Sequence, residues 1–209
     1  MRINKILALM VIGSVCLFSS YAATAATAVI PEKAGVTTSV QKSPEDRLLN
    51  EVSQTKWFSE GQITATHQLY MIAEPNCSVC HILYDKLKPY VKSGQLLIRW
   101  VMVAFIREDS AGKVAAIWSA QNPVNALAED EAGFDMARES GGIKPIAANK
   151  IPFKQMIALK GNMIFFQNSG LTGTPSLIYR DKQGKSQVGG FPQGDMQSFV
   201  NHLGKLPES

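Results

Sequence analysis

The sequence predicts an α/β fold in which a strand leads directly into a helix that carries two cysteines. An apolar run at residues 69–73 precedes a C-x-x-C motif at 77–80, and apolar side chains then recur at helical spacing. A second apolar run, at 95–106, is typical of a strand buried on both faces. A proline-led strand and a hairpin follow after residue 174. A parallel pair joined by a helix and followed by an antiparallel hairpin makes an α/β sandwich.

The elements can be placed in chain order. The first helix begins at Ser43-Pro44, where a serine can cap it and acidic residues occupy its first turn. Its apolar face is expected to comprise Leu48, Leu49, Val52, Trp57 and Phe58. The remaining elements are predicted as follows: a turn at 60–62, a strand at 63–73, the cysteine helix at 77–92, a strand at 95–106, helices within 110–170, strands at 176–180 and 185–188, and a helix at 195–203. Within the helical region, residues 152–168 are expected to turn Met156, Ile157, Leu159, Met163 and Phe166 inward.

The N-terminal residues are typical of a secretory signal peptide. Arg2 and Lys5 precede an apolar stretch at 6–18, and small residues follow it. We therefore predict a cleaved signal peptide at 1–25, a flexible arm at 26–43 and one folded domain at 44–209. Removing the leader lowers the formal charge from +4 to +2, which argues against a nucleic-acid partner.

The two cysteines outside the leader point to chemistry rather than to stabilisation. Cys16 belongs to the leader, so Cys77 and Cys80 remain, and a bridge between them would close almost no loop. At the tip of a helix, the free N–H groups and the helix dipole favour a thiolate. A thiol of lowered pKa is what a nucleophilic or redox-active cysteine needs.

The chain resembles the DsbC/DsbG family of periplasmic thiol:disulfide interchange proteins, and more closely its DsbG members. The resemblance rests on LYMIAEPNCSVCH, LLIRWVMVAFI, GLTGTPSLIYRDKQG and GGFPQGDMQSFV, and it spans about residues 45–204. It implies a thioredoxin-like fold with a helical insertion, at about 110–170, between the central strand and the strand that follows a cis-proline. It also implies a periplasmic oxidoreductase or isomerase that needs no cofactor or metal, acts on exported proteins with cysteines and is recycled by a membrane redox partner.

The resemblance assigns roles to individual residues. Cys77 is implied to be the exposed nucleophile and Cys80 the resolving cysteine of a redox-active disulfide, Cys77–Cys80. Pro175 is implied to be cis, with Thr174 helping to hold the substrate. We expect His81 and Glu74 to support the site, His81 by favouring the thiolate when protonated and Glu74 by moving the proton of Cys80. Met71 stands where thioredoxins have a buried acid.

The length of chain before the motif departs from the family. Its dimeric members carry an N-terminal dimerisation domain, whereas only residues 26–76 would precede Cys77 in the mature chain. We therefore expect a monomer. The direction of the reaction, as oxidase, reductase or isomerase, stays open at this point.

Three alternatives compete with a redox function. Residues 77–81 also match the C-x-x-C-H pattern of c-type haem attachment, with His81 as one axial ligand and Met163 as a candidate for the other. A zinc site would need the two cysteines with His81, His67 or His202, which is not a convincing four-ligand set. A non-enzymatic module would use the groove beside Pro175 to bind unfolded chains.

Overall fold

The structure is a computed structural model that describes residues 42–207. The predicted signal peptide (1–25) and almost all of the predicted arm (26–43) lie outside the described residues. The described chain forms, in order, α1 (Pro44–Ser53), β1 (Trp57–Glu60), β2 (His67–Ala73), α2 (Ser78–Lys92), β3 (Leu96–Met102), α3 (Ser110–Ser119), α4 (Pro123–Ala132), a short 3₁₀ turn (Ala148–Lys150), α5 (Phe153–Asn168), β4 (Ser176–Arg180), β5 (Ser186–Gly189) and α6 (Met196–His202). No helix of this described part is both long and apolar enough to cross a membrane.

A five-stranded sheet organises the domain, in the order β1-β3-β2-β4-β5. β2 and β3 are parallel and are joined by α2, while β4 pairs antiparallel with β2 and forms a hairpin with β5. The predicted parallel pair, the hairpin and the α/β class are therefore confirmed. The hairpin turns at residues 181–184, where Gly184 adopts a φ of 79°.

The edge strand β1 was not predicted. Trp57 and Phe58 were assigned to the apolar face of the first helix, but their backbones pair antiparallel with β3. The helix ends at Ser53, and the Lys56 N–H is taken by the Asn162 side chain at 2.8 Å. Trp57 then packs edge-on against Tyr70 of β2, with the ring centroids 6.1 Å apart.

Helices cover both faces of the sheet, and this explains the continuous apolar run of its central strands. Leu69 and Met71 of β2 face the core that includes α2, α3, α4 and α6. Tyr70 and Ile72 face a second core formed with α1 and α5. Alternate side chains of a strand point to opposite faces, so a strand covered on both sides is apolar throughout.

Several predicted boundaries and part of one predicted helix face were wrong: Leu159, Met163 and Phe166 pack against the cores as expected, but two residues of that face do not. β2 begins at His67, because the Ala65 N–H closes a turn onto the Gln62 carbonyl at 2.9 Å. Met156 and Ile157 of α5 are 48% and 52% exposed, although the sequence assigned them to the core. Helix α5 instead buries Asn162, whose amide donates to the Met102 carbonyl at 2.9 Å. This polar anchor fixes which side of α5 meets the sheet.

Candidate active site

Cys77 occupies the N-cap of α2, immediately after the loop that leaves β2. Its sulfur accepts a hydrogen bond from the Cys80 backbone N–H at 3.1 Å. The Cys77 thiol also reaches the Thr174 carbonyl oxygen, at 3.4 Å. The N–H groups of the first helical turn have no partner within the helix, so a sulfur placed there is stabilised as an anion. The predicted position of Cys77 at the start of the helix is confirmed.

The pKa values of the two thiols are shifted in opposite directions. Hydrogen bonding from the Cys80 side chain, with a contribution from Thr174, lowers the pKa of Cys77 to about 7, against the opposing effect of burial. Burial raises the pKa of Cys80 well above its ordinary value, and the neighbouring Cys77 adds to that rise. At neutral pH the first cysteine is therefore substantially a thiolate, while the second keeps its proton.

The implied exposure of Cys77 is not what the structure shows. Cys77 is 5% exposed and Cys80 is 2% exposed, and both are free thiols. The Thr174 backbone lies against the first sulfur and shields it. A reacting disulfide therefore has to reach a sulfur that is almost fully buried.

That segment contains a cis peptide bond between Thr174 and Pro175. The resemblance implied a cis bond at Pro175, and the Thr174 carbonyl oxygen lies 3.4 Å from the Cys77 sulfur. Beside it lies a groove of about 380 Å³ between the start of α2 and the end of β5. Its lining includes Val79, which is 42% exposed, and the backbone of residues 172–175.

Asn76, the residue before Cys77, is held in place by a buried polar network. Its amide nitrogen donates to Asp109 at 3.0 Å and to Ser110 at 2.9 Å. Its amide oxygen accepts from the Lys113 ammonium at 2.7 Å and from the Gly141 N–H at 3.2 Å. All four hydrogen-bonding positions of this side chain are thus filled.

Lys113 is the centre of that network. The side chain is 2% exposed, and its ammonium also donates to the Ser140 hydroxyl at 2.9 Å and to the Gly141 carbonyl at 2.7 Å. Neither Asn76 nor Lys113 was predicted from the sequence. One signal could have found Lys113: it is the single cation of α3 and stands directly before the apolar run at 114–118.

Glu74, expected to support the site, is buried directly before the motif. It is 2% exposed; one carboxylate oxygen accepts the Asn76 N–H at 2.7 Å, and the other is buried without a hydrogen-bonding partner. Burial raises the pKa of Glu74 above its ordinary value. Its negative charge in turn opposes ionisation of Cys77.

His81 is bound to a residue that the sequence did not single out. Its Nδ1 lies 2.7 Å from Oε2 of Glu131 on α4, and its ring stacks on Phe134 at 4.5 Å. Burial raises the pKa of Glu131, and the negative charge of Cys77 contributes to that rise. The imidazole and the carboxyl therefore form one hydrogen-bonded pair in the turn of α2 that follows Cys77.

The geometry gives no support to haem attachment. Met163, the candidate second ligand, packs in the core on the α1 and α5 side of the sheet, whereas both cysteines lie in the core on the other side. A zinc site also lacks its ligands in this geometry, because His67 bonds to the Leu203 carbonyl at 2.7 Å and His81 to Glu131. Among residues 42–207, no three His, Cys, Asp or Glu side chains are grouped to hold a metal.

Comparison with known proteins agrees with this arrangement. No protein-family model matches the chain. The thiol:disulfide interchange protein DsbG of Pseudomonas aeruginosa is 33% identical over 150 residues, which is 71% of this chain and 56% of that protein. The chain is a DsbG-like protein. DsbG of Escherichia coli is 26% identical over 136 residues, covering 65% of this chain and 52% of that protein. The chain thus spans about half the length of these curated relatives.

A solved structure extends the likeness to the fold. A periplasmic thioredoxin-like protein from Salmonella enterica serovar Typhimurium superimposes with a TM-score of 0.53. It is 19% identical and covers 74% of this chain and 94% of its own. The expected thioredoxin-like fold is therefore confirmed, with α3, α4 and α5 forming the helical insertion between β3 and the cis-proline strand β4.

Proposed function

We propose that this DsbG-like protein is a thiol:disulfide oxidoreductase that works through Cys77 and Cys80. The observation that carries the proposal is the position of the Cys77 sulfur at the N-cap of α2, where it accepts the Cys80 N–H at 3.1 Å. That position gives one acidic thiol next to one that stays protonated, which is the combination that sequential disulfide exchange requires.

The reaction has two displacement steps. The Cys77 thiolate attacks one sulfur of a substrate disulfide; the second substrate sulfur leaves with the electron pair of the broken bond and takes up a proton. The Cys80 sulfur, after losing its proton, then attacks Cys77 in the mixed disulfide. The Cys77–Cys80 disulfide forms, and the first substrate sulfur departs as a thiolate. The same steps in reverse oxidise a substrate dithiol.

Glu74 is the proposed acceptor of the Cys80 proton. Its buried carboxylate has one oxygen without a partner, and burial raises its pKa toward the range in which it can take and return a proton. His81 and Glu131 are proposed to support the thiolate as a pair, because His81 Nδ1 lies only 2.7 Å from Oε2 of Glu131.

The groove next to Thr174 and Pro175 is the proposed substrate site. Its wall includes residues 172–175, whose backbone can pair with an extended polypeptide, and Thr174 of this wall also contacts the Cys77 sulfur. We therefore propose exported proteins with cysteines as substrates. A purely non-enzymatic use of the groove would leave function unchanged in Cys77→Ala.

The test is to trap the mixed disulfide. Cys80→Ala should form a stable mixed disulfide at Cys77 with a small aromatic disulfide. It should form the same kind of adduct with a substrate protein that has been reduced, unfolded and then reoxidised to carry disulfides. Cys77→Ala should form neither adduct. Mass spectrometry of the peptide containing residue 77 reads the adduct. Equal adduct formation by both variants, or a Soret band in the purified protein, contradicts the proposal.

Location, partner and assembly extend the same proposal. We place the protein in the periplasm, with a leader at 1–25, an arm at 26–43 and a domain at 44–209, recycled by a membrane redox partner and acting as a monomer. The family resemblance supports the location and the redox partner, and the residue pattern at 1–25 supports the leader. N-terminal sequencing of the exported protein, its redox state in cells and its mass by light scattering test them in turn; a dimeric mass would contradict the last.

A further inference from the structure

Ser78, the first residue between the two cysteines, is engaged by a residue of the helical insertion. Its hydroxyl donates to Oε1 of Glu139 at 3.0 Å. Ser78 is the first residue of α2, so this contact brings a carboxylate to the end of the helix where the Cys77 thiolate lies. Two anions then share the same positive end of the helix dipole.

The backbone holds Glu139 there at a conformational cost. Glu139 has a φ of 48°, and it is the only non-glycine residue with a positive φ among residues 42–207. Side chains rarely occupy this region unless the surrounding structure imposes it, and such outliers collect at functional sites. Nothing about the glutamate itself favours this conformation.

The surroundings that impose it are the insertion loop, residues 135–141. Asp135 and Ser140 pair through two backbone hydrogen bonds of 2.8 and 3.1 Å. Lys113 then ties Ser140 and Gly141 to the buried network of Asn76. The insertion loop therefore contacts the motif on both sides of Cys77. The Gly141 N–H donates to the Asn76 side chain, and the Glu139 carboxylate accepts from the Ser78 hydroxyl.

We propose that Glu139 is a positioning residue that makes the Cys77 thiolate less stable than its helix position alone would. It does so in two ways. Its negative charge disfavours a second anion nearby. It also occupies the Ser78 hydroxyl, which would otherwise be free to donate to the neighbouring sulfur. The inference rests on the proposed function, because a thiolate held back in this way shifts the disulfide exchange equilibrium.

The other ionisable groups around Cys77 define what must stay constant in a test. They are Cys80 and His81 on α2, Glu74 before the motif, Asp109 before α3, Lys113 on α3 and Glu131 on α4. None of them contacts Glu139 through a hydrogen bond or an ion pair in residues 42–207. Substitution of Glu139 therefore leaves these partners in place.

The test measures the pKa of Cys77 from the pH dependence of its alkylation rate by iodoacetamide, read on the peptide that contains it. Glu139→Gln removes the charge and keeps an acceptor for Ser78. Because exposed charges interact weakly, we expect a fall of about half a pKa unit, roughly threefold in the acid dissociation constant. Glu139→Gly suits the positive φ and also frees the hydroxyl, so its pKa should fall further, by about one unit in total.

Two further variants separate the two contributions. Ser78→Ala combined with Glu139→Gly should return the pKa to the value of Glu139→Gln, because only the hydroxyl effect is lost. Glu129→Gln removes an exposed carboxylate from α4 and should change nothing. In equilibrium with glutathione, the Cys77–Cys80 disulfide takes up two electrons from two glutathione thiols, which become one glutathione disulfide. Glu139→Gln should favour the reduced pair by up to about threefold, or about 14 mV.

The outcomes distinguish this inference from the function on which it rests. If wild-type Cys77 titrates like a free thiol, near pH 8.5, the proposed function itself fails. If Cys77 is acidic but Glu139→Gln and Glu129→Gln leave its pKa equally unchanged, the role of Glu139 is refuted and the function stands. A fall in pKa in Glu139→Gln alone supports the inference.

Discussion

Replacing Lys113 by methionine tests how much the buried network contributes to folding. The substitution keeps most of the apolar stem and removes the ammonium, which donates three hydrogen bonds of 2.7, 2.9 and 2.7 Å. An ammonium has three donors, so all are used. Asp109 lies 3.5 Å away and is partly exposed, so it keeps its own solvation when the cation is lost.

The expected loss of stability depends on how each of the three acceptors is satisfied once the ammonium is removed. The Asn76 oxygen keeps the Gly141 N–H, and the Ser140 hydroxyl can rotate, but the Gly141 carbonyl loses its strong donor. A buried polar group left without its partner costs about 1–3 kcal/mol. Relief from burying a charge offsets part of the loss of the other bonds. We expect a net destabilisation of about 3 kcal/mol, which for a domain of this size lowers Tm by about 6–12 °C.

Thermal and urea unfolding of the reduced protein measure this effect. Lys144→Met provides the matched control, because Lys144 is exposed. The control should unfold within about 0.5 kcal/mol of the wild type. A loss below about 1 kcal/mol in Lys113→Met would show that the network positions the motif without stabilising the domain, and the reasoning above would be refuted.

Two further predictions concern groups near the same network. Burial raises the pKa of Asp130 to about 7, so the folded protein keeps a proton that the unfolded chain releases near pH 3.9. The contribution of this group to stability is complete below about pH 4 and is lost as the pH rises through 7, by about 4 kcal/mol. Asp130→Asn should flatten this slope in unfolding measured from pH 4 to 8; an unchanged slope would rule out Asp130 as its source. A Cβ on Gly142 would overlap the Cα of Gly133, so Gly142→Ala should cost about 2–3 kcal/mol in urea unfolding. Gly161→Ala, in an open stretch of α5, should instead add about 0.5–1 kcal/mol, and equal effects of the two alanines would contradict the packing argument.

The elements that local patterns define were predictable from the sequence. Ser43 caps α1 by accepting the Asp46 N–H at 3.0 Å, and β4 has the predicted bounds. Ser93-Gly94 ends α2, where Gly94 adopts a φ of 78°. Each of these depends on residues close together in the chain. By contrast, β1 exists because its backbone pairs with β3, and nothing within its four residues announces a partner some forty positions later.

The residues of the candidate site also fall into those that local sequence reveals and those that only distant contacts reveal. Cys77, Cys80 and the Thr174–Pro175 pair could be found because their types and spacing are characteristic of a family. Asn76, Glu131 and Glu139 could not, and Lys113 only as a cation beside an apolar run, because they act through contacts made across the insertion. Their side-chain hydrogen bonds span 27 to 65 positions of the chain, from Lys113 with Ser140 to Asn76 with Gly141. Only the tertiary arrangement brings these charges to the cysteines.

The sheet ends on both sides in strands of four residues, β1 and β5. An outer strand offers its free N–H and C=O groups to any other chain that can lie alongside, and the number of such groups grows with its length. Here each side offers only a short ladder, and α1 packs against β5. Two copies of the chain therefore have few free backbone groups through which their sheets could pair. The protein should stay dispersed at concentrations where proteins with longer unprotected edge strands would polymerise.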